Sequence, residues 1–114
     1  MPNQSSYINF LNLINAIEDQ DRARTLDGIE KELLDTVMVA NAQGDDVLVG
    51  DLLKLSKIGS QATLHGRIQN LIKLGYLKPI SDRDDGRRKK LVPTALAIKH
   101  YSKLSKLLAK ALTV

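Results

Sequence analysis

The chain has 114 residues, 17 Lys and Arg against 13 Asp and Glu, and no cysteine. That length suits one domain with a real core but no separate sensing domain, and the missing thiols exclude disulfides, zinc fingers, iron–sulfur clusters and thiol redox sensing. Hydrophobic residues make up 43% of the chain and aromatics only 4%, so the core must be aliphatic, as in packed helices. No apolar run approaches the ~18 residues that span a bilayer, and MPNQSSYINF lacks the basic-then-apolar order of a signal peptide. A cytoplasmic protein is expected.

The net charge of +4 conceals an asymmetry. Residues 1–56 hold 4 Lys/Arg against 10 Asp/Glu, a balance of −6, whereas residues 57–114 hold 13 against 3, a balance of +10. A strongly basic half points to a polyanion, because release of condensed counterions drives such binding.

In chain order, Ser5 or Ser6 is expected to cap a first helix running to about Asp19. Tyr7, Phe10, Leu11, Leu13, Ile14 and Ile17 cover well over half its circumference, and a surface helix needs only one apolar stripe. A second subunit is therefore expected on one of its sides. After the polar link Asp19–Arg24, Thr25 or Asp27 opens a second helix, Ile29 to about Ala42, with Ile29, Leu33, Leu34, Val37 and Val39 or Ala40 inward. NAQGDD is a turn, Val47–Val49 a short strand, and Asp51–Leu55 a brief helix. The segment SKIG then has the length and glycine content of the turn in a helix-turn-helix.

Ser60 is the expected N-cap of the next helix, since its hydroxyl can accept free N–H groups of the first turn. Leu64, Ile68, Leu71 and Ile72 recur at three- and four-residue spacing behind it, and Gly75 stops it in a left-handed cap. Tyr76–Ile80 reads as an edge strand, SDRDDGRR as a charged turn centred on Asp85-Gly86, and KKLVP as the returning strand. Thr94 caps the last helix, Ala95 to about Leu112. Its apolar seam is expected at Ile98, Tyr101, Leu104 or Ser105, Leu108 and Ala111 or Leu112, with Lys99, Lys103, Lys106 and Lys110 on a solvated stripe.

A helix followed by a hairpin with a basic tip is a device for gripping DNA, the helix in the major groove and the hairpin on the neighbouring backbone. Counting about 100° per residue from the apolar stripe, Gln61, Ala62, His65, Gly66, Gln69 and Lys73 form the opposite face. Gln61 and Gln69 suit adenine, His65 a guanine edge or phosphate, Ala62 a thymine methyl and Lys73 a phosphate. Ser60, Thr63 and Arg67 flank this face, and the wing from Asp82 to Lys90 adds Arg83, Arg87, Arg88, Lys89 and Lys90. Catalysis finds no support: His65 and His100 lack triad-like neighbours, and there is no Gly-rich phosphate loop, carboxylate pair or metal cluster. No enzyme activity, metal or cofactor is expected.

LLKLSKIGSQATLHGRIQNLIKLGYLKPISDRDDGRRKKLVPTALA resembles the winged helix-turn-helix of MarR-type (multiple-antibiotic-resistance-type) regulators. The matching pieces are LGYL after the recognition helix, the Asp/Arg-rich wing, and L-V-x-T before the following helix. The resemblance spans roughly residues 26–112 and is specific over 51–97. It implies a mainly α fold with a small β-hairpin wing (α+β), read as one domain over 1–114. In it, 1–24 and 94–114 are dimerisation helices around a 25–93 core with recognition helix 60–74 and wing 76–93. It further implies a homodimer, through Tyr7, Phe10, Leu11, Ile14, Tyr101, Leu104, Leu108 and Leu112, binding a pseudo-palindromic double-stranded operator as a transcriptional regulator, most simply a repressor. In that family a wing aspartate braces an arginine entering the minor groove, here Asp85 with Arg87 or Arg88. Where relatives commonly carry an arginine on the recognition helix, this chain has Gly66, with Arg67 one step round. A small aromatic effector is also implied, although Tyr7, Phe10, Tyr76 and Tyr101 are the only aromatics available to a pocket. The alternatives are a winged-helix protein-interaction module and a DNA-binding protein of replication or of plasmid or phage maintenance.

Overall fold

The computed structural model describes residues 5–20, 25–81 and 88–113, without the side chains of residues 19 and 20. Five helices and three strands follow one another as α1 (Ser6–Gln20), α2 (Gly28–Ala42), β1 (Val47–Leu48), α3 (Val49–Leu53), α4 (Gln61–Lys73), β2 (Leu77–Ser81), β3 (Lys89–Pro93) and α5 (Ala95–Leu112). The fold is mainly helical with a small antiparallel sheet, as expected. The chain divides into two compact units, Leu26–Ala97 and the flanking Met1–Thr25 with Ile98–Val114.

Leu26–Ala97 is built on an aliphatic core. Leu33, Leu34 and Val37 from α2, Leu52 from α3, Leu64, Ile68 and Leu71 from α4, and Leu77 and Leu91 from the sheet are all buried. Each such side chain contributes about 1.5–3 kcal/mol by leaving water. The sheet order is β1-β3-β2, with Val47 opposite Leu91 and Pro79 opposite Leu91 on the other side. Pro79, which has no N–H to give a ladder, thus sits on an edge strand, as its residue type requires.

Both caps of α4 are legible in chemistry. Ser60 Oγ accepts the Thr63 N–H at 3.2 Å and donates to Thr63 Oγ1 at 3.0 Å. At the other end Gly75 adopts φ +90, Gly75 N–H donates to Ile72 O and Tyr76 N–H to Leu71 O. That pair of bonds is a Schellman motif, which needs a left-handed residue at this position. Gly44 ends α2 in the same way, at φ +81 with Asp45 N–H on Ala40 O. Thr94 joins the end of α4 to the start of α5: its hydroxyl donates to Gly75 O and accepts the Ala97 N–H at 3.2 Å.

Several boundaries and faces differ from expectation. Val49 starts α3 instead of ending the strand, so α3 covers Val49–Leu53; Asp51 turns back to accept the Leu48 N–H at 3.1 Å, a local bond that favours a helix start. On α2, Ala40 is half-buried and Val39 exposed. The buried seam of α5 passes through Ala97 and Ala111, with Tyr101, Leu104 and Leu107 half-buried, while Ile98, Leu108 and Leu112 are exposed. The small residues mark the packed side because they allow close approach, and the large ones form a second stripe beside it.

The other unit is rich in such uncovered side chains. Ser5 Oγ accepts the Ile8 N–H at 3.2 Å and so starts α1. Along that helix Tyr7, at 67% exposure, Ile8 and Leu11 lie open, and Phe10, Leu13, Ile14 and Ile17 are half-buried. With Ile98, Leu108 and Leu112 they account for six of the eight large hydrophobic side chains left exposed among the described residues.

Candidate nucleic-acid interface

The apolar face of α4 is fixed by Leu64, Ile68 and Leu71, all fully buried. Helical periodicity then forces Gln61, Ala62, His65, Gly66, Gln69 and Lys73 outward, and all six are exposed. Ser60, also exposed, serves as the cap, and Thr63 is half-buried beneath it.

His65, Gln69 and Ile72 of α4 form one wall of an open groove of about 590 Å³. The rest of its lining comes from Leu48 to Asp51 and Lys54, around α3, and from Pro79, Arg88 and Lys89 of the wing. Among the described residues three cations, Lys54, Arg88 and Lys89, line the groove against one carboxylate, Asp51, which also accepts the Leu48 N–H. A trough with an excess of cations and some apolar lining is chemically suited to a sugar–phosphate strand.

Lys54 does not stand out in the sequence. The signal available there is its place on the first helix of a helix-turn-helix, the one that crosses the nucleic-acid backbone in such motifs. Arg83 and Arg87, with the wing acids Asp82, Asp84 and Asp85, lie outside the described residues. Arg88 and Lys89 are exposed where β3 begins.

Two expected DNA contacts are held within the chain. Lys90 Nζ lies 3.1 Å from Asp46 Oδ2, tying β3 to the turn before β1. Arg67 Nε donates to Asp27 Oδ2 at 2.6 Å, on the flank of α4 away from the groove. Asp27 is the N-cap of α2 and accepts the Glu30 N–H at 2.8 Å, while Glu30 Oε1 accepts the Asp27 N–H at 2.9 Å. Glu30 Oε2 also receives Asn70 Nδ2 from α4. A capping box therefore doubles as a clasp on α4. Asp27 is a candidate cap in the sequence, but the clasp is not visible there, because Arg67 and Asn70 lie 40 residues from Asp27 and Glu30.

Among the described residues no group of three His, Asp or Glu could hold a metal ion, and no helix is long and apolar enough to cross a membrane.

Helix α3, a short turn, helix α4 and a three-stranded wing define a winged helix-turn-helix, and with helices before and after it the fold is the MarR-like one. Solved structures share it. The adhesin competence repressor AdcR from Streptococcus pyogenes is similar at a TM-score of 0.56 and 24% identity, over 90% of this chain and 72% of that one. Apo (heme-free) PefR is similar at a TM-score of 0.59 and 17% identity, over 100% of this chain and 98% of that one. The heme sensor protein PefR from Streptococcus agalactiae, in complex with heme, gives 0.60 and 16%, over 94% and 72%. At these identities it is the fold that is shared. No family model matches the chain, and no curated protein matches it significantly.

Proposed function

We propose that the chain is a sequence-specific double-stranded DNA-binding protein that acts as a homodimeric transcriptional regulator, most simply a repressor, in the cytoplasm. The observation that carries this reading is the exposed polar face of α4 opening onto a groove rimmed by Lys54, Arg88 and Lys89. In it, α4 enters the major groove, where Gln61, His65 and Gln69 read base edges and Ala62 meets a thymine methyl. Lys54, Lys73 and Lys89 hold phosphates, and the wing arginines Arg83, Arg87 and Arg88 reach the backbone and the narrow minor groove. Binding rather than catalysis is the chemistry these side chains support. That AdcR is a repressor by its name favours the regulatory role.

The dimer is supported by the open apolar stripes of α1 and α5. Contiguous apolar surface of that kind marks interaction sites, and a second copy covering Tyr7, Leu11, Leu108 and Leu112 would bury it. Phe10, Ile14, Tyr101 and Leu104, half-buried in one chain, extend the same interface. Two recognition helices would then address half-sites about 10 base pairs apart in a pseudo-palindrome.

The test is a titration of a random 30-base-pair duplex at two salt concentrations, with molar mass from light scattering. A dimer whose affinity falls steeply with salt supports the proposal. No binding at low salt overturns it and favours a winged-helix protein-interaction module.

A further inference from the structure

We propose that Asp27 and Glu30, at the N-terminus of α2, are positioning residues for base reading: they set the rotation of α4 about its own axis. The inference rests on the DNA-binding reading above and adds the element that makes it selective.

The apolar face of α4 fixes how deeply the helix is seated but resists rotation weakly, because Leu64, Ile68 and Leu71 make non-directional contacts. Hydrogen bonds are directional. Arg67 and Asn70, three residues apart and so on one flank of the helix, are each bonded to the α2 terminus. Their acceptors are themselves immobilised, since Asp27 and Glu30 hold each other's backbone N–H groups. Glu30 is 5% exposed, and a carboxylate so placed tolerates little displacement from its donors.

The reading residues lie on the other side. At about 100° per residue, Arg67 stands about 160° from both His65 and Gln69, and those two form the groove wall. A rotation of about 20° about the α4 axis would move side-chain tips by about 2 Å, given a helix radius of about 5–6 Å with side chains. That displacement exceeds what a bidentate contact to adenine tolerates. It matters much less to lysines, which follow phosphates on flexible stems. The clasp therefore acts on choice of sequence and leaves general affinity for DNA alone. It also keeps the Arg67 cation on Asp27 instead of on any phosphate within reach.

The experiment compares two duplexes: one 30-base-pair duplex selected from a random pool by the wild-type protein, and one random duplex of the same length. Asp27→Asn is the first variant, because asparagine caps a helix about as well as aspartate but removes the charge that holds Arg67. Arg67→Met and the double variant complete a cycle. The expected result is a drop of about tenfold in the ratio of selected to random affinity for each single variant, with no further drop in the double. Melting temperature and the salt slope on random DNA should stay at wild-type values. An unchanged ratio in Asp27→Asn overturns the proposal. So does a fall of about one unit of salt slope in Arg67→Met, which would make Arg67 a direct phosphate ligand. If the wild-type protein selects no duplex from the pool, the DNA-binding reading fails first and the proposal falls with it.

Discussion

Glu30, a residue 5% exposed, accepts a hydrogen bond at its carboxylate from Asn70 Nδ2 across a gap of 40 residues in the chain. Its other oxygen accepts the Asp27 N–H. Removing the carboxylate leaves two donors without their acceptor, each costing about 1–3 kcal/mol where water cannot replace it. Glu30→Ala should therefore lower the unfolding free energy by about 2–4 kcal/mol in urea melts followed by circular dichroism. Glu30→Gln keeps an acceptor for the Asp27 N–H and should cost about half as much.

Two glycines predict opposite responses to alanine. Gly66 lies inside α4 with no atom within 4 Å of an added Cβ, so Gly66→Ala should stabilise the protein by about 0.5–1 kcal/mol. Gly75, at φ +90, would have Leu96 at an ordinary 3.5 Å from its added Cβ; its substitution is resisted by conformation alone and should cost about 1–2 kcal/mol. Thermal melts of both variants check the pair. If Gly66 also lets DNA approach the helix backbone closely, its alanine variant will be more stable and bind the selected duplex less tightly.

The two kinds of DNA contact should separate in binding. Arg87→Ala with Arg88→Ala should weaken binding on every sequence and flatten the salt dependence by up to about two units, about 0.9 for each phosphate that is no longer neutralised. Gln69→Ala should instead relax preference at one base pair per half-site by about 1–3 kcal/mol. Equal effects on selected and random duplexes in both variants would show that this division of labour is wrong.

Lys54, on the rim of the groove, is predicted to hold a phosphate. Lys54→Met keeps the stem and removes the charge, and should reduce the salt slope by about one unit with unchanged base preference. Preference that shifts with the slope would place Lys54 among the reading residues.

Leu108 is exposed on α5, so a charge there costs the folded chain little, whereas at a covered dimer face it would be buried without a partner. Leu108→Asp should halve the mass measured by light scattering at micromolar concentration and leave the helical circular dichroism signal in place. A retained dimer would move the interface elsewhere.

Much of the fold could be read from local chemistry. Ser60, Gly75 and Thr94 mark the ends of α4 and the start of α5 through bonds that reach only three to five residues. The outward face of α4 follows from the period of its leucines and isoleucines alone, which is why Gln61, His65 and Gln69 were legible as candidate readers. Pro79 announced an edge strand by lacking a donor. Interactions of this range are written into adjacent residues, and no knowledge of the rest of the chain is needed.

What stayed hidden depends on residues far apart. Arg67 and Lys90 look like any other cations of a basic half, and their partners Asp27 and Asp46 stand 40 and 44 positions away. Lys54 joins the wing and α4 at one groove because β1, β3 and β2 bring segments of the chain together in that order. On α5 the period located an apolar side too broad to be one seam, and packing chose Ala97 and Ala111 for the inside because their size permits close approach. Periodicity and caps are properties of neighbouring residues and survive in the bare chain. Which cation meets which carboxylate, and which half of a wide apolar face is covered, are set by where distant segments come to rest.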